Sequence, residues 1–175
     1  SSINGSNGTA ILCAITCGDD AIVDDDLAQP LAIAVDAGAG KIYWSDGGSN
    51  TIKRANFDGS DSERVICVDG CDNVVVNEQI DQPVGLLLDL DDGKMYWANS
   101  LGGRILRANL DGSRIEDLVT SALIGPEGIA LDVASGKMYW TDWGTKRIQR
   151  ANLDGSMVES LITSGLLFPG SIALA

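Results

Sequence analysis

Several groups of residues in this sequence could do chemistry. Cysteines stand at positions 13, 17, 67 and 71, as two Cys-x-x-x-Cys pairs. Carboxylates cluster at Asp24, Asp25 and Asp26, and again at Asp89, Asp91 and Asp92. Single acids follow a tryptophan by two residues at Asp46 and Asp142, and Asn99 holds the same place between them. Trp143 follows the second of those acids directly. Histidine is absent, which removes His-based triads and His metal ligands. There is no glycine-rich phosphate loop. Calcium takes roughly six to eight oxygens from converging loops. Neither acidic cluster has the spacing of a calcium loop, so both read as solvated turns. The sequence therefore predicts no catalytic residues, no metal and no cofactor.

An internal repeat positions these residues. Residues 136–155, GKMYWTDWGTKRIQRANLDG, rhyme with residues 40–59, GKIYWSDGGSNTIKRANFDG, and 93–112, GKMYWANSLGGRILRANLDG. Trp44 to Asn56, Trp97 to Asn109 and Trp140 to Asn152 are each a step of 12. Asp36 to Lys41, Asp89 to Lys94 and Asp132 to Lys137 are each a step of 5. Such fixed spacing is expected of strands joined by tight turns. The four prolines, at 30, 83, 126 and 169, each precede a short apolar run. Proline lacks the N–H for a ladder bond and suits the entry to a strand. Each unit then reads as an inner strand a, a Gly-Lys turn, a Tyr-Trp strand b, a loop, an Arg-Ala-Asn strand c, an Asp-Gly turn and an outer strand d. Alternation puts Tyr and Trp on opposite faces. The Tyr-Trp pair recurs after 53 and then 43 residues, the period of a four-stranded propeller blade.

Three copies of Gly-Lys-Ile/Met-Tyr-Trp followed by Arg-Ala-Asn-Phe/Leu-Asp-Gly resemble the YWTD repeat, the class B repeat of the low-density lipoprotein receptor family. The resemblance covers nearly the whole chain. It implies an all-β fold, a β-propeller of YWTD type, in one segment spanning 1–175. About three four-stranded blades are expected, near 30–68, 83–120 and 126–163, with one extra strand at each end (partial blades 1–17 and 169–175). That is half of a six-bladed ring. A half ring leaves an apolar blade face open at each end. Blades in further sequence are the preferred cover, and another copy of the chain is the alternative. The chain opens at Ser1 without an initiator Met or signal peptide and stops inside a strand-like run. It is expected to be a mature or excised part of something longer.

In that family, partners usually dock on the face carrying the d–a and b–c connections. By position this implies Leu31, Val84, Glu127, Phe168 and Trp143 as binding residues. From its residues alone, Trp143 reads equally as a binding anchor and as a ring packed flat on its own blade. Asp46 and Asp142 are expected to organise their blades by accepting from backbone N–H groups or from Arg54, Arg107 and Arg150. The second blade would rely on Asn99. For Cys13, Cys17, Cys67 and Cys71, disulfides are preferred over buried thiols, and the lack of His disfavours zinc. The local pairing, 13–17 and 67–71, is expected, because outer strands of adjacent blades diverge beyond the roughly 7 Å limit for a bridge.

Disulfides imply an extracellular or cell-surface setting reached through the secretory pathway. Adjacent N-glycosylation sequons at Asn4 and Asn7 point the same way. A net charge of −13 repels phosphate and excludes nucleic acid as an expected partner. No apolar run is long enough to span a bilayer as a helix. The expected function is a non-catalytic structural or protein-interaction module of a larger surface, matrix or filament protein, assembling through its blades. Its expected partners are proteins, namely further copies of itself or the rest of its own chain, and it is expected to carry N-glycan. The alternatives are a ligand-binding receptor ectodomain and, behind it, a calcium-dependent propeller hydrolase.

Overall fold

A computed structural model describes residues 27–68 and 80–174 in full, and the backbone alone at 12–13, 22–23 and 75–76. Near the start, β1 (Leu12–Cys13) pairs in parallel with β2 (Ile22–Val23). The first blade is the antiparallel meander β3 (Pro30–Asp36), β4 (Lys41–Asp46), β5 (Thr51–Asn56) and β6 (Glu63–Cys67). A fifth strand, β7 (Val75–Val76), joins its outer edge in parallel. The second blade is β8 (Pro83–Asp89), β9 (Lys94–Asn99), β10 (Arg104–Asn109) and β11 (Glu116–Val119). The third is β12 (Pro126–Asp132), β13 (Lys137–Asp142), β14 (Arg147–Asn152) and β15 (Glu159–Ile162).

The sequence reading did not anticipate β7. A two-residue strand has no alternation to read, and its only signal is the run of valines at 74–76. The two cysteine-bearing connections share one backbone device. Cys13 pairs with Val23 and Cys67 with Val76, each time in a parallel two-residue clasp.

The pleat sends Tyr96 and Trp97 to different seams, as alternation requires. Trp97 joins Leu86, Met95 and Leu106 against Tyr43 and Val65 of the first blade. Tyr96 joins Ala98, Ile105 and Val119 against Ile129, Met138 and Trp140 of the third. Each blade's Tyr side thus meets the next blade's Trp side. The Asp-Gly turns close the seams from outside. Gly112 has φ +83°, and a Cβ there would come within 2.3 Å of the Val65 carbonyl oxygen. Gly155 stands in the same way against Leu118. Glycine is required twice over, for the left-handed backbone and for the close approach.

The first and last faces differ from the seams between them. Ile33, Leu86 and Ile129 hold the same place in successive inner strands, yet they are 66%, 3% and 5% exposed. Leu31 and Val35 are exposed beside Ile33, whereas Trp44, farther out on the same face, is buried. At the far end every residue of β15 is exposed. Residues 169–174 run along β12. A Cβ on Gly128 would meet the Gly170 oxygen, Ile172 N and Ser171 Cα within 3 Å. They form no ladder and are not a strand. Adjacent blades pack face to face, so an inner strand without its own strand b has no hydrogen-bonding neighbour.

Candidate functional site

The fourth residue of each Tyr-Trp tetrapeptide is buried at the end of strand b. Asp46 Oδ1 accepts from the backbone N–H groups of Gln29 (2.9 Å), Gly48 (3.1 Å) and Ser49 (3.0 Å). Its Oδ2 accepts from Ala28 N–H at 2.9 Å. Burial opposes ionisation of this carboxyl. The donors of Gln29, Ser49 and Ala28, with Lys53 nearby, outweigh burial and hold it below the usual carboxylate range. Asp142 accepts from Ile124 (2.9 Å), Gly125 (3.2 Å) and Thr145 (2.7 Å) N–H groups. Each acid therefore ties the d–a connection to the b–c loop of its own blade. In the second blade Gln82 N–H donates instead to Asn50 Oδ1 of the first blade, at 2.7 Å. Asn99 is fully buried there.

The arginines stand elsewhere. Arg54, Arg107 and Arg150 pair with Glu63, Glu116 and Glu159 on the outer strand of their own blades. Arg54 also donates to the Leu110 carbonyl (3.2 Å) and Arg107 to the Leu153 carbonyl (3.1 Å), each in the next blade. On the opposite side of the seams the third tetrapeptide residue makes a second link. Ser45 Oγ accepts from Ala32 N–H (3.1 Å) and donates to the Val84 carbonyl (2.9 Å) of the next blade. Thr141 Oγ1 likewise accepts from Gly128 N–H and donates to the Gly170 carbonyl. The second blade has Ala98, fully buried and without a hydroxyl. Ala98→Ser is expected to link Gly85 N–H to the Glu127 carbonyl and to stabilise the chain by about 1 kcal/mol. A urea melt checks this, and a loss of stability would mean that the second seam has no room for the oxygen.

The proposed binding residues fall into two groups. Leu31, Val84 and Glu127 hold equivalent places at the heads of successive inner strands. Leu31 is exposed and lies over Gly47, while Val84 and Glu127 are half-buried. Phe168 is 86% exposed. Trp143 stands apart on the b–c loop of the third blade. It is 41% exposed, and its indole lies on Gly125, where a Cβ would come within 2.2 Å of Nε1. That Nε1 donates to Ser100 Oγ of the second blade at 3.4 Å. Ile124, exposed, packs on Gly144 beside it. The ring is thus packed on Gly125, tied to Ser100 through Nε1, and otherwise partly exposed. Sequence reasoning missed Ser100, Ile124 and Gly125. Only the two glycines, 125 and 144, signalled a close approach.

Cys67 is buried and disulfide-bonded, with its partner outside the described residues. The side chains of Cys13, Cys17 and Cys71, both sequon asparagines and Asp24–Asp26 also lie outside them. Asp89 accepts from Asp92 N–H at 3.2 Å, a local turn bond. Among the described residues no group of three acids or cysteines is placed to hold a metal.

Three blades packed Tyr side to Trp side define a β-propeller. The family model for the low-density lipoprotein receptor repeat class B matches residues 40–90, 93–133 and 136–174, and the chain belongs to this family. It is 31% identical over 120 residues to a human low-density lipoprotein receptor-related protein 5-like protein, covering 68% of this chain and 44% of that one. It is 40% identical over 123 residues to low-density lipoprotein receptor-related protein 1 of Pyricularia oryzae, covering 66% of this chain and 38% of the relative. The chain thus spans less than half the length of these relatives. Among solved structures it resembles a chain of a nidogen/laminin complex, with TM-score 0.71, 27% identity and coverage of 86% of this chain and 54% of that one. Virginiamycin B lyase from Staphylococcus aureus, at 19% identity and TM-score 0.57 over 75% of this chain and 40% of the lyase, shares the fold alone.

Proposed function

We propose that this chain is a non-catalytic, extracellular structural and protein-interaction module of a larger surface, matrix or filament protein, and that it assembles through its blade faces. One observation carries the reading. Ile33 is exposed where its equivalents Leu86 and Ile129 are sealed by a neighbouring blade. A sheet face built to the same pattern but left open is an assembly surface. The similarity to receptor-related proteins and to a nidogen chain solved with laminin supports a protein partner and an extracellular setting. The local pairing of Cys13 with Cys17 and Cys67 with Cys71, and glycans on Asn4 and Asn7, belong to this reading.

Ile33→Asp tests it in the secreted protein that contains this chain. The variant is expected to lower secreted yield and protease resistance severalfold there. The isolated chain should keep its stability within about 0.5 kcal/mol, because Ile33 is a surface residue in it. Unchanged yield and resistance in the longer protein would overturn the reading. A receptor role is the second reading, favoured by the exposed Trp143 and Ile124 on the loop face. In that case Trp143→Ala should weaken partner binding by about 2 kcal/mol while Ile33→Asp leaves binding intact.

A further inference from the structure

We infer that the corner of the loop face carried by Trp143, Lys146 and Arg147 binds an acidic, apolar segment of a protein partner. The inference rests on the receptor reading of that face and names the chemistry of its partner. It starts from an arginine that lacks the acid its counterpart has. In the second blade Arg104 opens β10 and pairs with Asp117 of β11 at 2.8 Å. Asp117 stands opposite Leu106 in the ladder. In the third blade Arg147 opens β14, and the residue opposite Gln149, the counterpart of Leu106, is Ser160. Ser160 Oγ accepts from Gln149 Nε2 at 3.3 Å and carries no charge. Arg147 therefore makes no ion pair among the described residues. Lys146, exposed beside it with φ +56°, makes none either.

The two cations adjoin apolar surface. Trp143 begins the same loop, and Ile124 packs on Gly144 between Trp143 and Lys146. Leu101, 65% exposed, follows the serine whose hydroxyl accepts from Trp143 Nε1. The first blade's loop meets the following connection at Gln82, which lies on Gly47 and donates to Asn50. The same places one array further on are held by Phe168, Trp143 and Lys146. The neighbour on that side is thus an exposed aromatic of this chain. Asp142, the adjacent acid, is buried, and the N–H groups of Ile124, Gly125 and Thr145 take its oxygens.

Charge selects the occupant. A guanidinium fork takes a carboxylate through two parallel bonds, and an indole with aliphatic neighbours takes apolar side chains. A basic segment would set like charges against Lys146 and Arg147. A wholly apolar one would strip water from both cations and return no acid. The net charge of −13 repels an acidic segment at long range. Screening beyond roughly 8 Å at physiological salt leaves the contact itself to the local cations.

The probe is a random peptide library displayed on phage, selected on this chain and counter-selected on Trp143→Ala, which discards peptides held elsewhere. Retained peptides are expected to combine Asp or Glu with Leu, Ile or Phe. For a synthetic copy of one of them, Trp143→Ala should weaken binding roughly 30-fold. Lys146→Glu with Arg147→Glu should weaken it about tenfold or more. Ser160→Asp gives Arg147 the acid that Arg104 has, and should weaken the same peptide severalfold without altering the loop. All are surface substitutions, and thermal melts verify the fold of each variant. Retention of basic or uncharged peptides overturns the inference. So does an affinity indifferent both to the charge reversal and to Ser160→Asp. In those two cases the loss with Trp143→Ala leaves the receptor reading standing and removes only the acidic partner. A selection that retains nothing overturns both.

Discussion

Asp46→Ala is expected to destabilise the chain by about 3 kcal/mol, lowering Tm by roughly 6–12 °C. The substitution removes a buried acceptor from four backbone N–H groups, those of Ala28, Gln29, Gly48 and Ser49. Hydrogen bonds to a charged group are each worth about 1.5–3 kcal/mol, and part of that loss is recovered because Ala28, Gln29 and Gly48 lie at the surface and can turn to water. Asp46→Asn should cost less. Its amide oxygen can keep the three bonds made by Oδ1, while its NH₂ would face the Ala28 N–H. The two variants also isolate the titration of the acid. The native carboxyl lies below its unfolded value, because the backbone donors outweigh burial. The folded state therefore binds fewer protons, and stability rises with pH across that window. Asp46's contribution should be complete above about pH 4 and lost as pH falls through the lowered native value. Urea melts of wild type and Asp46→Asn should converge on acidification. A difference that does not change with pH would show that charge plays no part.

Leu86→Ala is expected to cost about 3 kcal/mol, whereas the equivalent Ile33→Ala should stay within about 0.5 kcal/mol in the isolated chain. Leu86 is 3% exposed, in the seam with Tyr43 and Trp97. Ile33 is 66% exposed, with no blade over it among the described residues. Truncating a sealed side chain loses its transfer free energy and leaves a cavity, while truncating an exposed one does neither. Once the open face is covered, by a second copy or by other blades, Ile33→Ala should become as costly as Leu86→Ala. Chemical denaturation of the chain alone and of its assembled form measures that change. Equal costs in the isolated chain would mean that the first face is already sealed.

The roles of single residues were less legible than the repeat that carries them. The spacing of Asp46 and Asp142 pointed to a structural acid but left two kinds of donor open. The backbone N–H groups surround both acids, and the arginines turn outward to Glu63, Glu116 and Glu159. Arg54, Arg107 and Arg150 pair across the sheet with Tyr43, Tyr96 and Tyr139, three residues before the end of strand b where Asp46, Asn99 and Asp142 stand. A reading by proximity in sequence could not separate these environments. The third tetrapeptide position is Ser45, Ala98 or Thr141, and that variation carries no signal of its own. Its hydroxyl is an inter-blade link, and that function is visible only when the next blade's Val84 carbonyl is in place.

The sequence by itself determined the local architecture: strand order, turn chemistry, the Tyr-Trp division of faces and the family. These follow from short-range physics. A pleat has period two, a tight turn tolerates no insertion, and positive φ selects glycine. Three copies at fixed spacing repeat the same message. The tertiary structure alone decided which identical-looking positions are core and which are surface. Ile33, Leu86 and Ile129 occupy one place in the repeat and differ only in whether another blade lies against them. It alone put Trp143 on Gly125 and within reach of Ser100, across a seam that no spacing rule spans. Burial and blade-to-blade hydrogen bonds depend on neighbours distant in the chain, so a repeat can specify a blade without specifying what covers it.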